Sequence, residues 1–266
     1  MNDLIANQPT PDSEPMMSEA YIDRVLRDNF ESNPIVENIS SDQLVEELVE
    51  RAKSEHQDGT IVVSMIGGAA SGKTTLSDRI SEALRSHGLT SERISTDDYG
   101  RGTREWRHRE FGSTGRDQLE KYDFEHLNDR ITKIKSIDDL VKTVPVPTYD
   151  DLTGESVVVG EDNYSRQIGQ TDVLIVEGDF DQAEEPDLRI FLHVPDSQRM
   201  ATRVDRDAKL RGEASPGKVE ASFIERQHSQ HAPHTLPASE RADLLVIVDA
   251  STGDWQYKMF EAVKQH

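Results

Sequence analysis

The 266-residue chain contains no cysteine. Disulfides, thiolate metal sites and cysteine nucleophiles are therefore excluded. No apolar run approaches the roughly 18 residues of a membrane-spanning helix. Residues 1 to 17 carry acid and proline rather than the basic-plus-apolar pattern of a signal peptide. The expected location is cytoplasmic, with no membrane partner. Basic residues are scarce: 30 Lys and Arg stand against 51 Asp and Glu, a net charge of −21. Broad nucleic-acid or anionic-membrane binding needs a basic surface, so both are disfavoured. The acidic excess reads as a plain solvated surface or as adaptation to salt. No Asn-Lys-x-Asp guanine motif occurs, which argues against a GTPase switch. With 34% hydrophobic residues, the chain is long enough for a real core in one or two domains.

What is present is Gly67-Gly68-Ala69-Ala70-Ser71-Gly72-Lys73-Thr74. It fits G-x-x-x-x-G-K-[ST], the phosphate-binding loop. Ile61 to Ile66 before it is a short apolar run, the length of a buried parallel strand. Thr75 to Ser86 after it is periodic as a helix, with Leu76, Ile80, Ala83 and Leu84 on one face and His87-Gly88 as the stop. Strand, glycine loop and helix in that order let backbone N–H groups and a helix N-terminus face an anion. Lys73 is then placed to neutralise β- and γ-phosphates, and the Thr74 hydroxyl to ligate Mg²⁺. The expected ATP contacts run from Gly67 to Thr75. The bland alternative is an ordinary Gly-rich turn.

Residues 1–57 read as an N-terminal extension: a disordered start, then helices over Ser18–Asn29 and Ser41–Glu55, with Ser40 or Ser41 as N-cap. It is a packing appendage, a dimer contact or a regulatory arm, and a homo-oligomer is left open. Residues 58–266 form the main domain. Five strands, marked by Ile61, Ser91, Val173, Ile190 and Leu244, alternate with helices. That predicts an α/β fold, a doubly wound and mostly parallel five-stranded sheet. The strand at Ser91 ends in Asp97-Asp98, where open α/β sheets put their active sites. Solvated loop aspartates are the alternative. Arg101 to Arg116 is rich in arginine, either to meet an anionic substrate or to mesh with Glu105, Glu110 and Asp117. Gln118–Ser136 reads mainly as helix, followed by a shorter one over Ile137–Lys142. Val144–Asp150 and Ser156–Val159 suggest a small edge hairpin, and Glu161–Gln170 a polar loop. The strand Asp172–Gly178 carries Glu177 at its end, a Walker-B-like acid near Mg²⁺. On the helix Ser197–Arg211, Arg199, Arg203 and Arg206 share a face. They form a lid over about residues 197–217, or a solvated face paired with Asp205 and Asp207. A helix is expected over Lys218–Gln230, with Pro233 breaking it. His228, His231 and His234 are spaced by three, but Pro233 and the lack of a fourth ligand argue against a metal. Trp255–Val263 reads as a closing helix.

These motifs in this order resemble the uridine kinase and phosphoribulokinase group of P-loop kinases over about residues 58 to 250. Besides the loop, the likeness rests on Thr96-Asp97-Asp98-Tyr99, Tyr122-Asp123-Phe124-Glu125-His126 and Pro147-Thr148-Tyr149-Asp150. It continues through Glu177-Gly178, Arg203-Val204-Asp205-Arg206-Asp207 with Arg211-Gly212, and Ala242-Asp243. The resemblance implies a base at Asp97, with Asp98 the fallback, and Mg²⁺ held by Thr74 and Glu177 with Asp97 close by. Arg206 and Arg211 would reach ATP phosphates. Arg203, Asp98, Tyr99, Glu125 and Tyr149 would line the substrate pocket. Three departures bear on the acceptor. The pocket carboxylate is Glu125, one methylene longer than the family's Asp. The family's aromatic and base-contacting histidine are Asp151 and Gly154. The second lid arginine is Glu213. The expected function is therefore an ATP- and Mg²⁺-dependent, uridine kinase-like transfer of the γ-phosphoryl group to a small-molecule hydroxyl, on a nucleoside or sugar-type acceptor. A phosphoribulokinase-like kinase of an anionic acceptor and a nucleotide-binding regulator are the competing readings.

Overall fold

A computed structural model describes residues 16–55, 59–111, 118–137, 142–150, 155–156, 166–211, 216–249 and 256–263. Helices α1 (Met16–Asn29) and α2 (Ser41–Glu55) flank a short strand, β1 (Val36–Ile39). Ser40 starts α2. Its Oγ accepts from Gln43 N at 3.3 Å and its own N–H donates to Gln43 Oε1 at 2.9 Å, a reciprocal cap of two end donors. β2 (Ile61–Gly67), buried at every position, leads through the glycine loop into α3 (Lys73–Ser86), and β3 (Ser91–Ser95) follows. Next come a 3₁₀ turn (Thr96–Tyr99) and α4 (Arg104–Phe111). The helix predicted over Gln118–Ser136 is split into a 3₁₀ turn (Gln118–Lys121) and α5 (Phe124–Lys135). Asp123 sets the break by accepting from His126 N at 3.0 Å as the N-cap.

Four short strands follow: β4 (Val144–Val146), β5 (Tyr149–Asp150), β6 (Glu155–Ser156) and β7 (Arg166–Ile168). β5 and β6 make the expected hairpin, but β4 pairs with β7, inside the stretch read as a polar loop. Ile168 explains it, being fully buried opposite Val144. The chain ends with β8 (Val173–Gly178), β9 (Leu188–His193), α6 (Asp196–Arg211), α7 (Pro216–Arg226), β10 (Leu244–Asp249) and β11 (Gln256–Glu261). Between α7 and β10 lie a nine-residue π-helix (Gln227–Thr235) and a 3₁₀ helix (Leu236–Arg241). Pro233 therefore does not break the helix. The wider π turn runs through a residue that has no N–H to donate.

Among the described residues the sheet has seven strands, not five, in the order β1-β11-β10-β9-β2-β8-β3. The expected five are present and mutually parallel. Two more strands extend them by antiparallel pairing, β11 beside β10 and β1, at the sheet's edge, beside β11. The closing helix predicted over Trp255–Val263 is thus β11, where Tyr257 and Met259 point into the core at a period of two. Helices cover both faces. Leu44 and Leu48 of α2 and Leu76, Ile80 and Leu84 of α3 pack on Val63 and Met65. Leu127, Ile131 and Ile134 of α5 pack on Val62, Leu174 and Val176 of the opposite face. Ile22 and Val25 of α1 join Ile66, Phe191 and Leu245. Among the described residues no helix is long and apolar enough to cross a membrane. Residues 1–15, the middle of the helix expected after Ser136 and the end of the strand expected at Ser156–Val159 lie outside the described residues.

Candidate active site

The register of the central strands assembles the site. Met65 of β2, Glu177 of β8 and Ser95 of β3 lie abreast. Their carboxyl ends therefore deliver the glycine loop, Glu177 and Asp97-Asp98 to one edge, where a doubly wound sheet opens its crevice. In the loop, Ala70 (φ 64°) and Gly72 (φ 86°) are both left-handed, and Ser71 N donates to Gly68 O at 3.1 Å. Gly68 admits no side chain. A Cβ there would meet the Arg199 guanidinium and lie 2.8 Å from His231 Cε1. Lys73 opens α3 and is buried. Its Nζ donates to Gly67 O at 2.8 Å, Gly68 O at 3.0 Å and Asp179 Oδ1 at 2.9 Å.

Thr74 Oγ1 donates to Glu177 Oε1 at 2.9 Å, and the same oxygen accepts from Arg93 Nη1 at 2.6 Å. Glu177 Oε2 and Ser71 Oγ are buried with no hydrogen-bond partner among the described residues. A hydroxyl beside a carboxylate, two open buried oxygens, an ammonium and a glycine cradle together fit a phosphate chain with its Mg²⁺.

The two aspartates after β3 differ. Ser95 caps their 3₁₀ turn. Asp98 Oδ2 accepts from Ser95 N at 2.9 Å and Oδ1 from Tyr149 N at 2.8 Å. Burial raises its pKa, opposed by those two hydrogen bonds. Asp97 accepts from the Tyr122 hydroxyl at 3.3 Å. The residue reaches solvent, yet protein crowds the carboxylate. That burial raises its pKa to about 6; nearby Asp179 adds to the shift, while Lys73 and Arg226 oppose it. Burial, then Asp97, drives the Tyr122 phenol well above its ordinary pKa.

Of the other expected positions, Tyr99 is buried in the core cluster under α5. Glu125 is exposed in the first turn of α5, and Tyr149 is half-buried on β5. Arg203 is buried, with Nη2 donating to Ser222 Oγ at 3.3 Å and Nε 3.8 Å from Asp207. Arg206 is half-exposed, 3.4 Å from Asp207. Arg211 ends α6, but its side chain lies outside the described residues, as do Arg116, Asp151, Gly154 and Glu213. Sequence reasoning missed Asp179 and Arg226, and weighed His231 only as a metal ligand. With Ala69, Arg199 and Arg203 they line a cleft above the loop. Asp179 left a signal, two residues past Glu177 on the same strand exit, and His231 left one in the three-residue spacing of His228, His231 and His234.

A phosphate loop, an acid on the adjacent strand and an arginine helix above them define a P-loop α/β protein. The model of the Phosphoribulokinase / Uridine kinase family matches residues 62–252, and the chain belongs to that family. It is a phosphotransferase that acts on a small-molecule alcohol acceptor. A uridine kinase of Borrelia hermsii is 27% identical over 190 residues, covering 70% of this chain and 85% of that one. A D-glycerate 3-kinase from Cryptococcus neoformans, 17% identical, has a TM-score of 0.55 over 79% of this chain and 94% of its own. A phosphoribulokinase from Rhodobacter spheroides, 16% identical, has a TM-score of 0.50 over 71% and 70%. At such identities these two structures speak for the fold alone.

Proposed function

We propose that the chain transfers the γ-phosphoryl group of ATP to a hydroxyl of a small, negatively charged acceptor, such as a sugar phosphate or a hydroxy acid. One observation carries the choice of acceptor: Arg226 acts on the Asp97 carboxylate and also, with Arg107, on Lys121, in a chain of net charge −21. Burial, then Arg226 and Arg107, pushes the Lys121 pKa down. Arg226 also favours the Asp97 carboxylate. Crowded cations repel one another, and a bound anion relieves that repulsion.

In this reading Asp97 takes the proton of the acceptor hydroxyl, with Tyr122 orienting its carboxylate. Asp98 holds the turn and β5 in place. Lys73, held at the mouth of the loop, offsets phosphate charge with Arg206 and Arg211. Arg203, Tyr149 and Glu125 border the acceptor. Thr74 and Glu177, with Asp97 near, would hold Mg²⁺, which supplies charge neutralisation at the phosphates when bound. Positioning and charge stabilisation then account for most of the acceleration.

The test is a coupled ADP-release assay over nucleosides, sugar phosphates and hydroxy acids, at low and high salt. Stimulation by an anionic acceptor is expected. Arg226→Ala should raise that acceptor's KM about tenfold, more than it raises the KM for ATP. The 27% identity to a uridine kinase favours a second reading, a nucleoside acceptor. Stimulation by uridine or cytidine alone would establish it.

A further inference from the structure

We propose that His231 is a ligand of the nucleotide phosphates, presented to the phosphate loop by the π-helix. The proposal rests on the reading of that loop as an ATP site. His231 is 6% exposed, and neither ring nitrogen has a hydrogen-bond partner among the described residues. Thr235, one turn on, is 1% exposed, and its hydroxyl is likewise unpartnered there. Buried polar atoms are nearly always paired, so three open ones on one helix call for a ligand. π-helical turns recur at functional sites, because the extra residue re-aims side chains.

Position narrows the ligand. The His231 ring edge lies against Gly68: Cε1 is 2.8 Å from where a Gly68 side chain would begin. Ser71 Oγ, in the same loop, is a fourth buried atom with no hydrogen-bond partner among the described residues. His231 and Thr235 border the cleft above Ala69. Arg199 of α6, Lys73 of α3 and His193 of β9 face the ring, and Asp179, Arg203 and Arg226 share its cleft. Burial first, then Arg199, His193 and Lys73, keeps the imidazole well below its ordinary pKa. It is therefore neutral, with one N–H to donate. Asp179, the carboxylate in that cleft, accepts from Lys73 and Gln230, each at 2.9 Å. A neutral donor set among cations at the start of a phosphate loop suits a phosphate oxygen. The Arg199 guanidinium is already engaged by Asp196, Gln227, the Val194 carbonyl and, through Nη1 at 3.3 Å, the Ala69 carbonyl of the loop. It supplies charge, while the imidazole supplies the directed hydrogen bond.

The experiment compares wild type, His231→Leu and His231→Gln by thermal melting without ligand and by calorimetric titration with Mg-ATP and Mg-ADP. Leucine removes both unpaired nitrogens, so the free His231→Leu protein should melt no lower than wild type. Its Kd for both nucleotides should rise about tenfold or more. Glutamine restores a side-chain N–H donor, and its Kd should stay within about threefold of wild type. A His231→Leu variant with wild-type affinity would overturn the proposal and leave the ATP site standing. So would equal losses in both variants, which would assign the ring a packing role. If wild type bound neither nucleotide, the ATP reading would fail and this proposal with it.

Discussion

Both Asp98 oxygens accept backbone N–H groups, whereas Asp97 meets the Tyr122 hydroxyl and the field of Asp179. The two substitutions should therefore behave differently. Asp97→Asn should lower kcat by about 10²–10⁴-fold, the usual worth of a positioned base. Its melting temperature near pH 7.5 should be unchanged or higher. The sign follows from the raised pKa: the folded state disfavours the carboxylate, so stability is gained as pH falls from about 6 toward the unfolded value. The neutral amide gains it at any pH. In wild type, kcat/KM should fall about tenfold per unit below about pH 6, as a proton occupies the base. Near-normal turnover in Asp97→Asn would place the base elsewhere. Lys73→Ala should abolish turnover while the melting profile persists; an active variant would remove the loop from the chemistry. The loop, Asp97 and Glu177 are legible in the sequence because each lies in one contiguous pattern whose spacing is itself the chemistry. Arg226 and His231 are not legible that way. They reach the loop only because the chain returns after α6 and runs on through α7 and a π-helix, and no local pattern encodes that return.

The same division holds for the elements. β2 and β8 are buried along their whole length, so continuous apolar runs announce them. The two strands beyond β10 have no such run. β1 is Val-Glu-Asn-Ile, four residues long, with Asn38 at φ 56° and a shift in register. β11 mixes Gln, Lys and Glu with Tyr257, Met259 and Phe260, a spacing that a short amphipathic helix also satisfies. Pairing decides between them: β10 offers β11 six consecutive partners, from Leu244↔Glu261 to Asp249↔Gln256. Met259 tests this. As the buried centre of a strand, with no exposed surface, its replacement by alanine should cost about 2–5 kcal/mol. In urea unfolding the midpoint should drop with the slope unchanged. On an exposed closing helix the same change would stay within about 0.5 kcal/mol, and a loss that small would contradict β11.

For the molecule as a whole, the question is whether residues 1–57 are an appendage to a domain that begins at residue 58. The contacts of α1, β1 and α2 argue that the boundary in sequence is no boundary in folding. Leu44, Val45, Leu48 and Val49 of α2 are each at most 4% exposed and belong to the cluster formed by β2 and α3. Burying four such side chains contributes roughly 6–12 kcal/mol at about 1.5–3 each. That is of the order of a domain's entire net stability, about 5–15 kcal/mol. β1 also covers the free edge of β11, an edge that would otherwise invite another chain. α1 reaches α6, the arginine helix, where the Ser18 hydroxyl donates to Asp196 Oδ2 at 2.6 Å and Asp196 N donates to Glu19 Oε1 at 3.2 Å. A chain of residues 58–266 should therefore be largely insoluble or lack a cooperative urea transition, and should not bind Mg-ADP. The full chain should unfold in one step, with α2 and the sheet melting together when followed by hydrogen exchange. A soluble fragment that unfolds cooperatively and binds Mg-ADP would show the arm to be detachable. It would also free α1 and its hold on α6 for a regulatory role.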